Sequence, residues 1–182
     1  FQSMPITVAI LGYSVAAAIV FTYVGFSSEY AVAGYGSATR IEQVVLLPIL
    51  GINTAIISII AQNIGAKQHN RVEQSYFTSV RYGLCLMIIA GIIIYLTAEI
   101  VPKFFSSNTD VIAYGTMYLK ISAFILPAYP IFFLSNGFFM ALKKSEKAML
   151  NNIIRNVIVP ILSFYIARHI NADFKTFFYI WA

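Results

Sequence analysis

The sequence predicts an all-α fold, a polytopic transmembrane helix bundle, on three observations. Hydrophobic residues make up 59% of the 182 residues, charged residues make up only 10%, and the mean hydropathy is +0.78. A soluble domain has about a quarter charged residues, so this chain cannot cover a globular surface and lipid must be its solvent. The apolar residues also form runs long enough to cross a bilayer, which takes about 20 residues.

Five full spans and the start of a sixth follow one another along the chain. The first span, residues 5–26, is uncharged and opens with Pro5, whose missing N–H costs nothing in the first turn of a helix. Residues 27–39 are polar and contain glycine, which predicts a short connection. The later spans are predicted at residues 41–61, 77–97, 117–142 and 149–170, and an incomplete one at 174–182.

Internal prolines predict where these spans depart from regular helix. We expect the fourth span to bend at Pro127 and Pro130 and the fifth to be interrupted at Pro160, because an internal proline removes a backbone hydrogen bond. Helices are the only choice for the spans, since open sheet edges are not tolerated in hydrocarbon.

The basic residues predict which side of the membrane each loop occupies. An excess of Lys and Arg marks the cytoplasmic side, and alternating spans place more of them on the side that holds the loop 62–74 and the turn 143–147. That side and the start of the first span are therefore predicted to be cytoplasmic. Its basic residues are Lys67, Arg71, Arg81, Lys143, Lys144, Lys147 and Arg155.

A set of small and polar residues joins the second span to the loop after it. Pro48, Gly51 and Ala55 leave gaps where helices can approach closely, and Pro48 with Gly51 forms either a packing kink or a hinge. We expect Gly65 to end the helix with a positive φ and Arg71 to anchor the turn at anionic headgroups. The loop signature consists of Gln62, Asn63, Gly65, Ala66 and Arg71.

This set resembles the second helix and following loop of a half-transporter in the multidrug and toxic compound extrusion (MATE) family. The resemblance extends from Pro5 through Gly34 and Arg40 to Asn136 and Gly137, although the turn at 143–145 lacks the glycines that family members often have. It implies that residues 5–182 form the C-terminal lobe of a twelve-helix transporter. Residues 1–4 resemble the remnant of an expression tag and are excluded from this prediction.

The resemblance also implies a function. MATE transporters export lipophilic, often cationic compounds against H⁺ or Na⁺ by alternating access between two six-helix lobes. The implied partners are small-molecule drugs or metabolites, membrane lipid and the missing N-terminal lobe, without nucleic acid. No cofactor besides the coupling ion is expected. The resemblance places the protein in a bacterial inner membrane and implies that this lobe alone is inactive.

A coupling ion needs an ionisable group at membrane depth. One MATE subfamily has a glutamate in the first helix of this lobe and an aspartate in the fourth, where this chain has Tyr13 and Tyr129. The coupling acid is therefore expected in the N-terminal half. Glu42 is the exception, with two interpretations: an interfacial carboxylate in water, paired with Arg40, or a cavity carboxylate that binds a cation or proton.

Polar and adaptable side chains within the spans are candidates for a substrate cavity. Buried amides are costly unless they face protein or water, and aromatic or methionine side chains adapt to lipophilic ligands and can hold a cation against a ring. Asn136 has an alternative role in bonding a neighbouring helix. The predicted cavity residues are Tyr13, Ser14, Gln43, Asn53, Tyr129, Phe132, Asn136 and Met140.

Other functions are weighed against export. A flippase for lipid-linked oligosaccharides has a similar fold, but its cavity needs fixed basic residues for phosphate, and the basic residues here are predicted at span ends. A structural membrane subunit, or a homodimer of halves, would pair through small-residue helix faces. No enzyme is expected, because the sequence has no nucleophile–base pair, Cys/His cluster or nucleotide-binding loop.

Overall fold

The chain folds into long helices in a computed structural model that describes residues 3–169 and 176–178. Within these described residues, four helical stretches are long and apolar enough to cross a membrane, and α1 adds a shorter apolar segment, Ser14–Phe26. The all-helical bundle is as predicted. In chain order the elements are α1 (Ser3–Ser27), α2 (Glu29–Gly65), α3 (His69–Thr97), a 3₁₀ turn (Val101–Phe104), α4 (Thr109–Ile125), a second 3₁₀ turn (Leu126–Ala128), α5 (Tyr129–Ala141), α6 (Ser145–Ile153), a π-helical segment (Ile154–Ile158) and α7 (Val159–His169).

The start of α2 corrects the predicted connection at residues 27–39. The helix begins at Glu29 and runs without a break for 37 residues. Ser28 caps it, with its Oγ accepting the N–H of Ala31 at 3.0 Å, and Glu29 places a negative charge in the first turn. Gly34 serves close packing rather than a turn, because a Cβ there would lie 2.7 Å from the backbone oxygen of Val111 on α4.

The end of α2 corrects a second prediction. Gly65 does not have a positive φ, and Lys67 takes that conformation instead, with φ of 57°. The N–H of Ala66 donates to the carbonyl of Gln62 at 3.0 Å, and α3 begins at His69. The predicted loop 62–74 is therefore a tight turn, with Gln62 and Asn63 in the last turn of α2 and Arg71 exposed in the first turn of α3.

The small residues in the middle of α2 face outward. Pro48, Gly51 and Ala55 are all exposed, and a Cβ at Gly51 would meet nothing within 4 Å. The predicted close approach of helices at these positions is thus not made within the described lobe. Their alternative role as a hinge stays a prediction.

The predicted proline interruptions are present in the later spans. Pro127 lies in the 3₁₀ turn that separates α4 from α5, and Pro130 lies in the first turn of α5. Pro160 lies in the first turn of α7, directly after the π-helical segment. Each proline thus coincides with a change of helix type, as expected from its missing N–H.

The helices form two groups that meet along α1 and α2. In the first group, α2 packs against α3, α4 and α5 around a buried core that includes Ile49, Ile56, Met87 and Leu134. In the second group, α1 packs against α6, the π-helical segment and α7. Contacts of α1 with α2 and of α5 with α6 join the two groups. The seam between the two helix groups contains a cavity that is lined by residues of both groups.

Candidate ion and substrate site

A cavity of about 210 Å³ lies at the seam between the two helix groups. Side chains from α1, α2, α4, α5 and the π-helical segment all reach it, so its shape depends on how the two groups pack. Its wall combines charged, hydroxyl and amide groups with aromatic and aliphatic ones. The lining residues are Ala16, Ala17, Val20, Tyr35, Thr39, Glu42, Gln43, Leu46, Tyr118, Tyr129, Phe132, Phe133, Arg155 and Asn156.

Glu42 is the buried acid of this cavity, with only 7% of its surface exposed. Its carboxylate accepts a hydrogen bond from the hydroxyl of Tyr118 at 2.5 Å and another from the hydroxyl of Tyr129 at 2.6 Å. At 1.5 Å per residue it lies about 20 Å along α2 from Glu29. Glu42 is therefore not the water-exposed carboxylate of the first interpretation, and exposed Arg40 makes no ion pair with it among the described residues.

Helix periodicity explains why these side chains meet. Tyr35 and Glu42 are seven residues apart on α2, so they lie on one helix face. Tyr118 on α4 and Tyr129 at the start of α5 reach Glu42 from the two sides of the 3₁₀ turn. The ring of Tyr35 packs edge-on against that of Tyr118 with centroids 5.0 Å apart. The sequence analysis does not include Tyr35 or Tyr118, although the seven-residue spacing of Tyr35 and Glu42 is a usable signal for the first.

Three of the predicted cavity residues come together with Glu42. Gln43, Tyr129 and Phe132 all line the cavity. The side chain of Tyr13 lies outside the described part of the chain. Ser14 is exposed on α1 and is not among the cavity's lining residues.

The other predicted cavity residues lie elsewhere. Buried Asn136 accepts a hydrogen bond from Nδ2 of Asn151 at 2.9 Å, which is the helix-bonding alternative. Asn53 packs against Gly137, where a Cβ would collide with its Oδ1, and that buried oxygen has no hydrogen-bond partner in the described residues. Met140 is 41% exposed and away from this cavity. Their part in a larger cavity shared with a second lobe stays a prediction.

Arg155 and Asn156 are cavity residues that the sequence did not indicate. Arg155 was assigned to the cytoplasmic rim, but at 1.5 Å per residue it lies about 15 Å along the helix from Ser145 and lines the cavity with Glu42. The premise that all basic residues lie at span ends is therefore wrong at this position. The π-helical segment carries both side chains, and such segments are frequent at functional sites.

The sequence profile described as MatE matches residues 5–166 of this chain. The chain belongs to the MatE family. The probable multidrug resistance protein YpnP of Bacillus subtilis is 27% identical over 162 residues, which cover 89% of this chain and 34% of that protein. A FAD transporter of Shewanella oneidensis is 26% identical over 104 residues, 57% of this chain and 23% of that protein.

Solved structures share the same fold. An outward-facing multidrug resistance MATE transporter superposes with a TM-score of 0.89 at 22% identity, covering 98% of this chain and 40% of its own. A transporter of the same superfamily from Pyrococcus furiosus, described as having a binding pocket of reversed polarity, gives 0.86 at 22% identity with the same coverage. The MATE resemblance and the membrane helix bundle are thus confirmed. The chain spans about a third of the length of YpnP.

Proposed function

We propose that this chain is the C-terminal lobe of an ion-gradient-driven exporter of lipophilic, often cationic compounds in a bacterial inner membrane. The observation that carries the proposal is the buried carboxylate of Glu42, held by Tyr118 and Tyr129 in a cavity lined by aromatic side chains. The multidrug resistance protein among its relatives supports the substrate class. A second lobe would complete the transporter.

A buried carboxylate is expensive, which is why it indicates function. Removing a charge from water costs several kcal/mol after relaxation, and two hydrogen bonds from phenols offset only part of that. Acidic residues at membrane depth are accordingly rare and mark ion or substrate sites. Since Glu42 lies in the cavity rather than in the apolar core, a proton or Na⁺ can reach it, as can a cationic substrate.

Competition for one carboxylate gives a simple coupling scheme. A drug cation binds beside ionised Glu42, with the rings of Tyr129 and Phe132 available for cation–π contact. A proton or Na⁺ that binds Glu42 from the other side of the membrane removes that attraction and releases the drug. Because the two cations exclude each other at one site, downhill entry of the ion drives export of the drug.

Gradient-driven transport by the native protein in proteoliposomes tests the proposal. We expect Glu42→Gln to abolish efflux of a fluorescent cationic dye driven by an imposed H⁺ or Na⁺ gradient, because the amide cannot bind either ion as a carboxylate does. The dye should still bind, though more weakly. Comparing the two gradients identifies the ion.

The matched control is Glu73→Gln, since Glu73 is exposed near the start of α3, away from the cavity. Its efflux should equal that of wild type. Wild-type efflux in Glu42→Gln would place the coupling acid elsewhere, as in the N-terminal half that the sequence favoured.

A further inference from the structure

A groove of about 480 Å³ lies between the end of α3 and the first half of α4. It shares no described lining residue with the cavity at the seam of the two helix groups. Glu99 and Lys120 form its charged end. Its apolar part is lined by Met117 and by the rings of Tyr95 and Phe124, whose centroids are 5.6 Å apart. The groove therefore joins a charged end to an apolar wall.

The charged end lies where the surface of the membrane is expected. The helix α3 (His69–Thr97) has 29 residues, about 43 Å at 1.5 Å per residue, which exceeds the roughly 30 Å of a hydrocarbon core. Glu99 follows directly after this helix, and Tyr95 one turn before it suits the aromatic belt at a membrane interface. The exposed apolar face of α3 that leads up to the groove suits lipid chains and consists of Ile88, Ile89, Ile92, Ile93 and Leu96.

The charged groups at this end can bind further partners. Nζ of Lys120 donates to Oε1 of Glu99 at 2.6 Å, and both side chains remain accessible. Lys120, through its hydrogen bond and its charge, and Lys103, through its charge, lower the pKa of the Glu99 carboxyl. An ammonium group has three donors, and a carboxylate has about four acceptor sites. Two bases and one acid thus surround a position that a single Lys–Glu hydrogen bond does not saturate.

We propose that this groove binds phosphatidylethanolamine, a lipid whose headgroup carries one phosphate and one primary ammonium. The phosphate lies beside Lys120 and Lys103, and the ammonium lies beside Glu99. An acyl chain lies along Tyr95 and Phe124. This site is independent of the exporter function proposed above.

The charge pattern selects this lipid among common phospholipids. The carboxylate of Glu99 accepts charge-assisted hydrogen bonds from a primary ammonium, whereas the quaternary ammonium of phosphatidylcholine has no N–H to donate. Phosphatidylglycerol carries a negative charge without a positive one, so Glu99 repels it. The apolar wall beside the charges favours a lipid over a free phosphate ion, because burial of an acyl chain adds to the affinity.

Native mass spectrometry of the purified native protein in detergent tests the proposal by counting bound lipids. Titration with the three phospholipids, all with identical acyl chains, gives the affinity of the first lipid bound. We expect wild type to bind phosphatidylethanolamine about five- to tenfold more tightly than phosphatidylcholine, between the effect of an exposed ion pair and that of a hydrogen bond to a charged group.

Variants at the two charges separate the roles of amine and phosphate. Glu99→Gln should lower the affinity for phosphatidylethanolamine to that for phosphatidylcholine and leave the latter unchanged. Lys120→Gln should weaken both lipids by a similar factor, because both carry the phosphate. Glu73→Gln, at the opposite end of α3 and equally exposed, is the matched control and should change neither.

Three results would overturn the proposal. Equal wild-type affinities for phosphatidylethanolamine and phosphatidylcholine would show that the amine is not recognised, and tighter binding of phosphatidylglycerol would show that only negative charge is. A preference for phosphatidylethanolamine that survives in Glu99→Gln would place the amine at another residue. Lipid binding that depends on neither Glu99 nor Lys120 would mean that a second lobe or another protein covers the groove.

Discussion

The close contact between α2 and α4 predicts a large effect from one added methyl group. A Cβ at Gly34 would lie 2.7 Å from the backbone oxygen of Val111, 2.8 Å from Cβ of Tyr114 and 2.9 Å from the backbone nitrogen of Gly115. Non-bonded carbon atoms are ordinarily separated by about 3.5 Å or more. Two of the three atoms belong to the backbone of α4, so no side chain can rotate away. Gly34→Ala must therefore push the two helices apart.

The magnitude follows from two opposing terms. Overpacking of this kind costs about 1–3 kcal/mol, and rigid backbone neighbours place Gly34→Ala at the upper end. Alanine gains about 1 kcal/mol over glycine within a helix. The net destabilisation is about 2 kcal/mol, which lowers the melting temperature of a domain of about 150–250 residues by roughly 4–8 °C and that of a longer chain by less.

Thermal unfolding of the purified native protein in detergent measures this effect, and Gly51→Ala is the matched control. Gly51 lies in the same helix with open space around it, so alanine there should leave the melting temperature unchanged or raise it. The Gly34→Ala protein should also transport less, since α2 carries Glu42 and α4 carries Tyr118. Equal melting temperatures for the two variants would refute the close contact of α2 with α4.

Three further predictions concern polar contacts. Tyr129→Phe removes one of the two hydrogen-bond donors to Glu42. It should lower gradient-driven efflux about tenfold, which corresponds to the low end of the free energy of a hydrogen bond to a charged group. Unchanged efflux would mean that this hydrogen bond does not contribute to transport. Asn151→Ala leaves the buried side-chain oxygen of Asn136 without its hydrogen bond. The loss of stability should be about 1–3 kcal/mol, measured by thermal unfolding. An unaltered melting temperature would show that water replaces the hydrogen bond. Lys120 lowers the pKa of exposed Glu99 by hydrogen bonding and by its charge. The pair therefore stabilises the folded protein at neutral pH, and this stabilisation is lost as the pH falls through the lowered pKa. Lys120→Gln should lower the melting temperature slightly at pH 7 and not at acidic pH, and the same small loss at both pH values would contradict the ion pair.

The sequence predicts those features of the fold that do not depend on which residues are neighbours in space. The helical spans and their lipid surroundings follow from the length of the apolar runs. The interruption at Pro160 follows from its missing N–H. Gly34 shows where local reasoning fails. A glycine among polar residues suggests a turn, but the same residue also permits close packing of two helices. Only the position of α4 distinguishes the two.

Glu42 lies further along its helix than predicted because span limits follow hydropathy. Hydropathy places Glu42 at the start of the span 41–61, whereas α2 begins at Glu29. A charged residue lowers local hydropathy and so draws the predicted boundary toward itself. Arg155 lies inside the predicted span 149–170, and only the count of basic residues assigns it to the cytoplasmic side. Helix caps such as Ser28 are the better guide to depth.

In the proposed coupling scheme an ion and a cationic substrate compete for Glu42. Their competition is measured as release of bound H⁺ or Na⁺ on addition of a cationic dye to the purified native protein, in weakly buffered detergent solution with a pH indicator or a sodium electrode. Wild type should release close to one ion per bound dye, as should Glu73→Gln, while Glu42→Gln should bind some dye and release none. Equal release from wild type and Glu42→Gln would show that the ion is bound at another residue and that Glu42 is not the site of competition.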